Sequence, residues 1–401
     1  MTTRPHLDTA ERRARLAVRH RLAPAHAAAT VAEAAAAMTV LHATDPSSVY
    51  LQAHARVPGL PSPAAIEHAL YAERSVLKLL AMRRTLFLAA LPDVPMIHNG
   101  ASLAIGRQER IRTEKLFAEG GIVDPPALFV ELEAAGLIAV RERGEATTAE
   151  LTKLDPRLGQ RIALARGKSY EGSISVSQKV FFHLALDGLI GRGKPRGSWT
   201  GNQVRWSPIE RWLPDGIPTL PVDEAQARLV ERWLRTFGPG TRDDLTWWTG
   251  WTVAATRAAL AAIGAQEVTL DGGATAFVAA GDVVPTPSPT PWLAFLPALD
   301  ATTMGWKDRD WYLGPHRPAL YDRNGNAGPT IWVDGRVVGG WGHRADGTVA
   351  WRLLEDVGAE MAARIAEEAA RLADWIGPAR VNAMFPTPLE LELKAGSIAG
   401  T

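Results

Sequence analysis

Twice along the chain the sequence runs through three helical segments and then into a pair of short strands. This recurring order constrains the fold more than any single motif. The first run opens with "PPALFVELEAAGLIAVRERG" (125–144), whose apolar residues recur at helical spacing. It continues through "ATTAELTKL" (146–154), a short helix with Thr147 or Thr148 as cap. The third segment, "SISVSQKVFFHLALDGLIGRG" (173–193), is capped by serine and closed by Gly188. "LIGRGKPRGSWTGNQVRWSPIERW" (189–212) then reads as a strand, a Gly/Pro/basic turn and a second strand. In the second run, "PVDEAQARLVERWLRTFG", "GTRDDLTWWTG" and "TVAATRAALAAIG" are the helices. "EVTLDGGATAFVAA" supplies two strands across an Asp271-Gly272 turn.

Three helices followed by a two-stranded ribbon is the winged-helix order, in which the third helix enters a nucleic-acid groove and the ribbon grips the flanking backbone. The N-terminal stretch reads as a third, less obvious copy. Its helices run through Leu16, over Val31–Met38, over "SSVYLQAHARV" and over 62–82, followed by a strand in "RRTLFLAAL". "LPDVPM" breaks the chain before a helix over 93–119. The proline-rich "VVPTPSPTPW" (283–292) marks a boundary. Beyond it, Asp334-Gly335 and Asp346-Gly347 are hairpin signals between short strands marked by Trp332, Trp341 and Trp351. A small antiparallel barrel is expected there, covered by a helix over 358–377 and finished by a strand near "LELELKAG". The expected class is α+β, tandem winged-helix units followed by a C-terminal barrel. Its units are 1–91, 92–212 (with the basic wing), 213–285 and 286–401.

Composition narrows the function classes. Formal net charge is +1, so attraction to DNA or to an anionic membrane has to be local. The absence of cysteine removes disulfides and thiolate chemistry and fits a reducing compartment. The N-terminal segment lacks the apolar core of a signal peptide, and no run approaches the ~18 apolar residues of a membrane span. A cytoplasmic monomer, nucleoid-associated when bound to DNA and with no membrane partner, is expected. The 14 tryptophans, concentrated from residue 199 onward, suit compact β-rich cores.

The chemistry-bearing candidates are few. The wing carries Arg192, Lys194, Arg196 and Arg205 with no acid among them, beside Trp199, Asn202 and Gln203. It reads either as a solvated basic hairpin or as a contact for phosphates and a groove; its place after a trihelical run favours DNA. Ser175, Ser177 and Gln178 at the preceding helix start offer neutral hydrogen bonds to phosphate or base edges. "VLHATDPSS" puts His42 and Thr44 ahead of an ordinary helix start at Asp45-Pro46. P-loop, dinucleotide, HExxH and GxSxG patterns are missing, and the histidines lack metal-ligand spacing, so neither a metal nor a small-molecule cofactor is expected. The charged "MGWKDRDWYLGPHRPALYDRNGNAGP" (304–329) reads either as a site or as a barrel rim of paired charges with an Asn324-Gly325 turn, and the rim is favoured.

The block order, with "GRGKPRGSWTGNQVRW" and "TMGWKDRDWYLGPHR", resembles the bacterial winged-helix alkylpurine DNA glycosylases of the azinomycin self-resistance type. The resemblance spans nearly the whole chain. It implies a monofunctional hydrolase of the N-glycosidic bond of cationic or bulky N-alkylpurines in double-stranded DNA, serving repair or self-resistance. In that family a Gln-aliphatic-Gln or Gln-aliphatic-Asp motif precedes a proline-started helix. The matching positions here are His42, Ala43 and Thr44, with Gln52–His54 a second candidate one or two turns too late. By that resemblance His42, with an ordinary histidine pKa, is the water-positioning group or weak base, and Thr44 orients the water or a phosphate. The rival readings are a non-catalytic winged-helix regulator and a protein-interaction scaffold.

Overall fold

The computed structural model describes residues 4–164 and 172–396, so residues 1–3, 165–171 and 397–401 lie outside the described residues. The chain is 49% helix and 17% strand, and among the described residues every strand pair is antiparallel. The class is therefore α+β.

The N-terminal third holds helices α1 (Thr9–Arg19), α2 (Val31–Ala37), α3 (Pro46–His54) and α4 (Pro63–Glu67). A strand β1 (Leu41–His42) precedes α3, and a hairpin of β2 (Val76–Ala81) and β3 (Thr85–Ala90) follows α4. The helix expected over 62–82 is therefore shorter. It leaves α4 through one π-helical turn and stops at Arg74, which is left-handed at φ 57°. "VLKLLA" is a continuous apolar run that fits a buried strand as well as a helix face, and pairing with β3 decides for the strand. The sheet order is β1-β3-β2.

The middle third keeps the expected helices and ribbon in order, but a hairpin not expected from the sequence precedes the third helix and takes residues 173–175 out of it. A short α5 (Val94–Ile97) and a π-turn lead into α6 (Leu103–Glu119), and α7 (Pro125–Arg143) follows. β4 (Ala146–Thr147) precedes α8 (Thr148–Thr152), which Thr147 and Glu150 close into a capping box. β5 (Arg161–Leu164) pairs with β6 (Gly172–Ser175), and α9 (Val176–Leu186) opens on a second capping box between Ser175 and Gln178. The ribbon is β7 (Ile190–Arg192) with β8 (Arg205–Pro208). Phe117, Phe129, Leu132, Val180, Phe181, Ile190 and Trp206 give this block its own core.

The second run repeats that order in α10 (Val222–Phe237), α11 (Arg242–Thr249), α12 (Val253–Ala262) and the ribbon β9 (Gln266–Thr269) and β10 (Thr275–Val278). Its turn holds the N-terminal segment: Asp271 accepts from the amide and hydroxyl of Thr9 at 2.8 and 2.7 Å. The proline-rich 283–292 stretch is also tied down, with Thr286 donating to Glu11.

The C-terminal part departs from expectation. Its strands β11 (Leu293–Leu296), β12 (Thr330–Val333), β13 (Arg336–His343) and β14 (Val349–Leu353) form one open sheet in that order. Among the described residues no barrel closes. The Asp334-Gly335 hairpin is present, with both residues at positive φ. Between β11 and β12 lie two single-turn helices, α13 (Asp310–Leu313) and α14 (Arg317–Leu320). α15 (Ala359–Ile376) lays Ile365, Ala369, Leu372 and Ile376 on the face that carries Trp341. On the other face α14 and α16 (Pro388–Lys394) approach Gly340 and Gly342 so closely that a Cβ at Gly340 would meet Leu320 and Leu389 within 3 Å. With helices on both faces, the sheet has no apolar side left to bury by closing. α16 itself replaces the expected final strand. "LELELK" alternates, but Leu389, Glu390 and Leu393 are buried and Leu391 is exposed, as a proline-started helix requires.

The largest core runs from Leu16 to Leu393 and joins the N-terminal sheet, α10–α12 and the C-terminal sheet. At its centre the guanidinium of Arg56, after α3, is paired with Asp300 at 2.8 Å, both fully buried. Arg56 also donates to the Thr302 hydroxyl and the Gln52 carbonyl.

Candidate active site

A cleft of about 420 Å³ lies between the β2–β3 sheet and the loop joining β7 to β8. Cross-strand rows fix its floor. Leu80 pairs with Leu86, and Leu86 accepts from the amide of Ala43, so these three side chains share one face with Lys78 two residues along. Thr44 and Pro46 continue the floor; Phe182 of α9 and Met384 enter from the sides. Arg192, Gly193, Pro195 and Gly201 to Val204 form the facing wall.

The charge pattern is one-sided. Lys78, Arg84 and Arg192 line the cleft, and no aspartate or glutamate does. Lys78 donates to the Tyr71 hydroxyl at 3.2 Å. Burial, and then the neighbouring Arg192, lower its pKa to about 8. The Arg192 guanidinium lies 5.4 Å from the Trp206 ring centre, its own pKa lowered by burial. Neutral hydrogen bonders complete the wall: Thr44, Asn202 and Gln203. At Gly193 a Cβ would stand 2.8 Å from the Glu145 carboxylate and push that side chain aside.

Of the two residues expected from the sequence to carry the chemistry, Thr44 reaches the cleft and His42 lies under it. His42 occupies the row of Phe87 and Leu79, on the opposite face of the sheet from Ala43. Its ring packs edge-on against Phe87 with centroids 5.0 Å apart. Burial, helped by the charge of Arg83, lowers its pKa to about 3. The ordinary pKa expected from sequence is thus corrected: His42 is neutral at physiological pH. Its Nδ1 accepts from the Thr44 amide at 3.5 Å, which leaves the ring proton on Nε2. The Thr44 hydroxyl accepts from the Leu86 amide at 3.2 Å and keeps its own proton to donate.

The second candidate, Gln52, is fully engaged in structure. Its Oε1 accepts from the amides of His42 and Ala301, and its Nε2 donates to the carbonyls of His42 and Ser48. His54 stacks on Trp375 with ring centres 4.2 Å apart. Asp45 caps α3 and accepts from the Met384 amide at 2.9 Å, fastening the cleft's rim to its floor.

The expected DNA contacts divide into two groups. Arg192 faces the cleft. The other wing cations are paired with acids that the sequence places far away: Lys194 with Glu67 at 2.6 Å, Arg196 with Glu150 at 2.5 Å and Arg205 with Glu145 at 2.8 Å. Trp199 leans on Tyr50 and Trp375. Ser175 and Gln178 satisfy each other in the α9 capping box, and Ser177 is buried with its hydroxyl 3.0 Å from that of Ser175. Lys78, Tyr71, Arg84 and Phe182 were not singled out from sequence. Lys78 had a signal, being the lone charge in an apolar strand.

A family model for AlkZ-like DNA glycosylases matches residues 35–375, a span holding all of these cleft residues but Met384. The chain belongs to the AlkZ-like DNA glycosylase family. Its function is accordingly that of a DNA glycosylase, in alkylation-adduct repair or resistance. The fold of this AlkZ-like chain is also that of Streptomyces sahachiroi DNA glycosylase AlkZ, with a TM-score of 0.71 at 21% identity over 94% of this chain and 98% of that one. Among curated proteins none matches it significantly. No helix of the described residues is long and apolar enough to cross a membrane.

Proposed function

We propose that this cleft receives an N-alkylated purine nucleotide from double-stranded DNA and hydrolyses its N-glycosidic bond. The observation that carries the reading is a cleft lined by three cations and neutral hydrogen bonders without one carboxylate. A purine alkylated on a ring nitrogen already bears positive charge and leaves without acid catalysis. What remains for the protein is to position water and hold the flanking phosphates. Lys78, Arg84 and Arg192 supply charge for phosphate, while Phe182, Leu80 and Leu86 supply apolar surface for a base or a bulky adduct.

In this reading Thr44 is the water-orienting hydroxyl. His42 is a positioning residue: a neutral ring whose Nδ1 fixes the Thr44 amide. It is too weak a base to take a proton from water. The two blocks of three helices and a ribbon act as winged-helix units, the first presenting its ribbon and the Ser175–Gln178 helix start to the duplex. The second braces the N-terminal segment. A monomer without cofactor suffices for this chemistry.

The test is incubation with duplex DNA carrying one N7-alkylguanine, read as abasic sites after alkali. Excision is expected, falling at least tenfold in Thr44→Val and less in His42→Ala. Salt-sensitive binding of the duplex with no excision would convert the protein into a non-catalytic DNA binder.

A further inference from the structure

We propose that the cleft also captures its own product: the Nζ of Lys78 condenses with the C1′ aldehyde of a ring-opened abasic deoxyribose. The inference rests on the DNA reading of the same cleft and goes beyond glycosidic hydrolysis. Removing a base leaves a hemiacetal sugar in equilibrium with its open aldehyde, so the first step makes an electrophile inside the cleft.

Three observations single out Lys78. It shares the cleft with Thr44, so the amine and the group placed at the anomeric carbon face one cavity. It has a hydroxyl partner in Tyr71 and no carboxylate one among the described residues, whereas Lys194, Lys307 and Lys394 are each paired with an acid. Burial and the charge of Arg192 also outweigh the opposing pull of Glu67 and lower its pKa to about 8, which leaves roughly a tenth of it as free amine at neutral pH.

The step balances without an outside reagent. The amine lone pair adds to the C1′ carbonyl, a C–N bond forms, and the amine proton passes to the oxygen. The carbinolamine then loses water to give an imine; readdition of water returns aldehyde and lysine. Going on to break the strand requires removal of a C2′ proton, and no carboxylate lines the cleft to take it. The imine therefore holds the product, and strand scission lags behind it.

The experiment uses the full chain and a duplex with one abasic site prepared independently of this protein. Sodium cyanoborohydride reduces any imine to a stable secondary amine, seen as a shifted band on a denaturing gel. A band is expected for the native protein, increasing from pH 6.5 to 8.5 and falling at least tenfold in Lys78→Arg and Lys78→Met. Peptide mass mapping of the native adduct places it on Lys78 without recourse to a variant. No band at any pH overturns the proposal, as does an adduct on Lys179, Lys194 or the N-terminal amine. Excision of N7-alkylguanine without a band retires the imine and leaves the glycosylase reading standing; a band without excision does the reverse.

Discussion

Buried neutral histidines set the behaviour of this protein in acid. His20, His42, His98 and His183 all have pKa values pulled down by burial, to about 3 for His42 and His183 and about 4 for His98. In the unfolded chain they titrate near 6.5, so between that pH and their folded values the unfolded state binds more protons. Their contribution to stability is complete above about pH 6.5 and is lost as pH falls toward 3. By pH 5 it has dropped by about 2 kcal/mol per histidine. Urea midpoints at pH 7.5 and 5 measure this, and equal midpoints would contradict it. Gln52 matters in another way: its amide satisfies four partners around the motif strand. Gln52→Leu should lower unfolding free energy by about 2–3 kcal/mol through buried groups left unpaired. The sequence displayed Thr44 and the wing cations as residues. It could not display the pKa of His42, which depends on Phe87 and Arg83 brought against it, nor the acids that neutralise the wing.

Elements with explicit punctuation were legible. α8 starts at Thr147 and α9 at a serine, the caps their sequences advertise, and the Asp-Gly turns fall where strands reverse. Two of the departures from expectation arise because short periodic stretches are ambiguous. "VLKLLA" lacks polar punctuation, and "LELELK" carries a two-residue rhythm that Pro388 and burial of Glu390 override. The expected barrel failed for a related reason: hairpin signals fix strands and turns but not what covers the sheet. α3 is held to the C-terminal part by the Arg56–Asp300 pair. Asp300→Asn should cost about 3–5 kcal/mol in equilibrium unfolding by leaving the guanidinium buried without its counter-charge. A double Arg56→Met/Asp300→Leu variant should recover most of that loss.

For the molecule as a whole, the pairing of wing cations bears on DNA affinity. Three of the four expected phosphate contacts are already neutralised by Glu67, Glu150 and Glu145, in keeping with a net charge of +1. The slope of log affinity against log salt should therefore be shallow for a DNA-binding protein of this size. Glu67→Gln, which frees Lys194, should steepen it by about one unit; an unchanged slope would take Lys194 out of the interface. The order of the tandem blocks was legible because each is local. The core that joins the ends of the chain was not, since nothing in "VLHATDPSS" announces residues near 300. That core has a consequence for synthesis. Arg56 emerges from the ribosome 244 residues before its carboxylate, a delay of roughly 12–50 s at ordinary translation rates. Through that interval the N-terminal sheet exposes an unmatched cation and apolar surface. The nascent chain should thus engage holdase chaperones until the C-terminal strands arrive, and truncation before residue 300 should yield aggregates rather than a smaller folded protein.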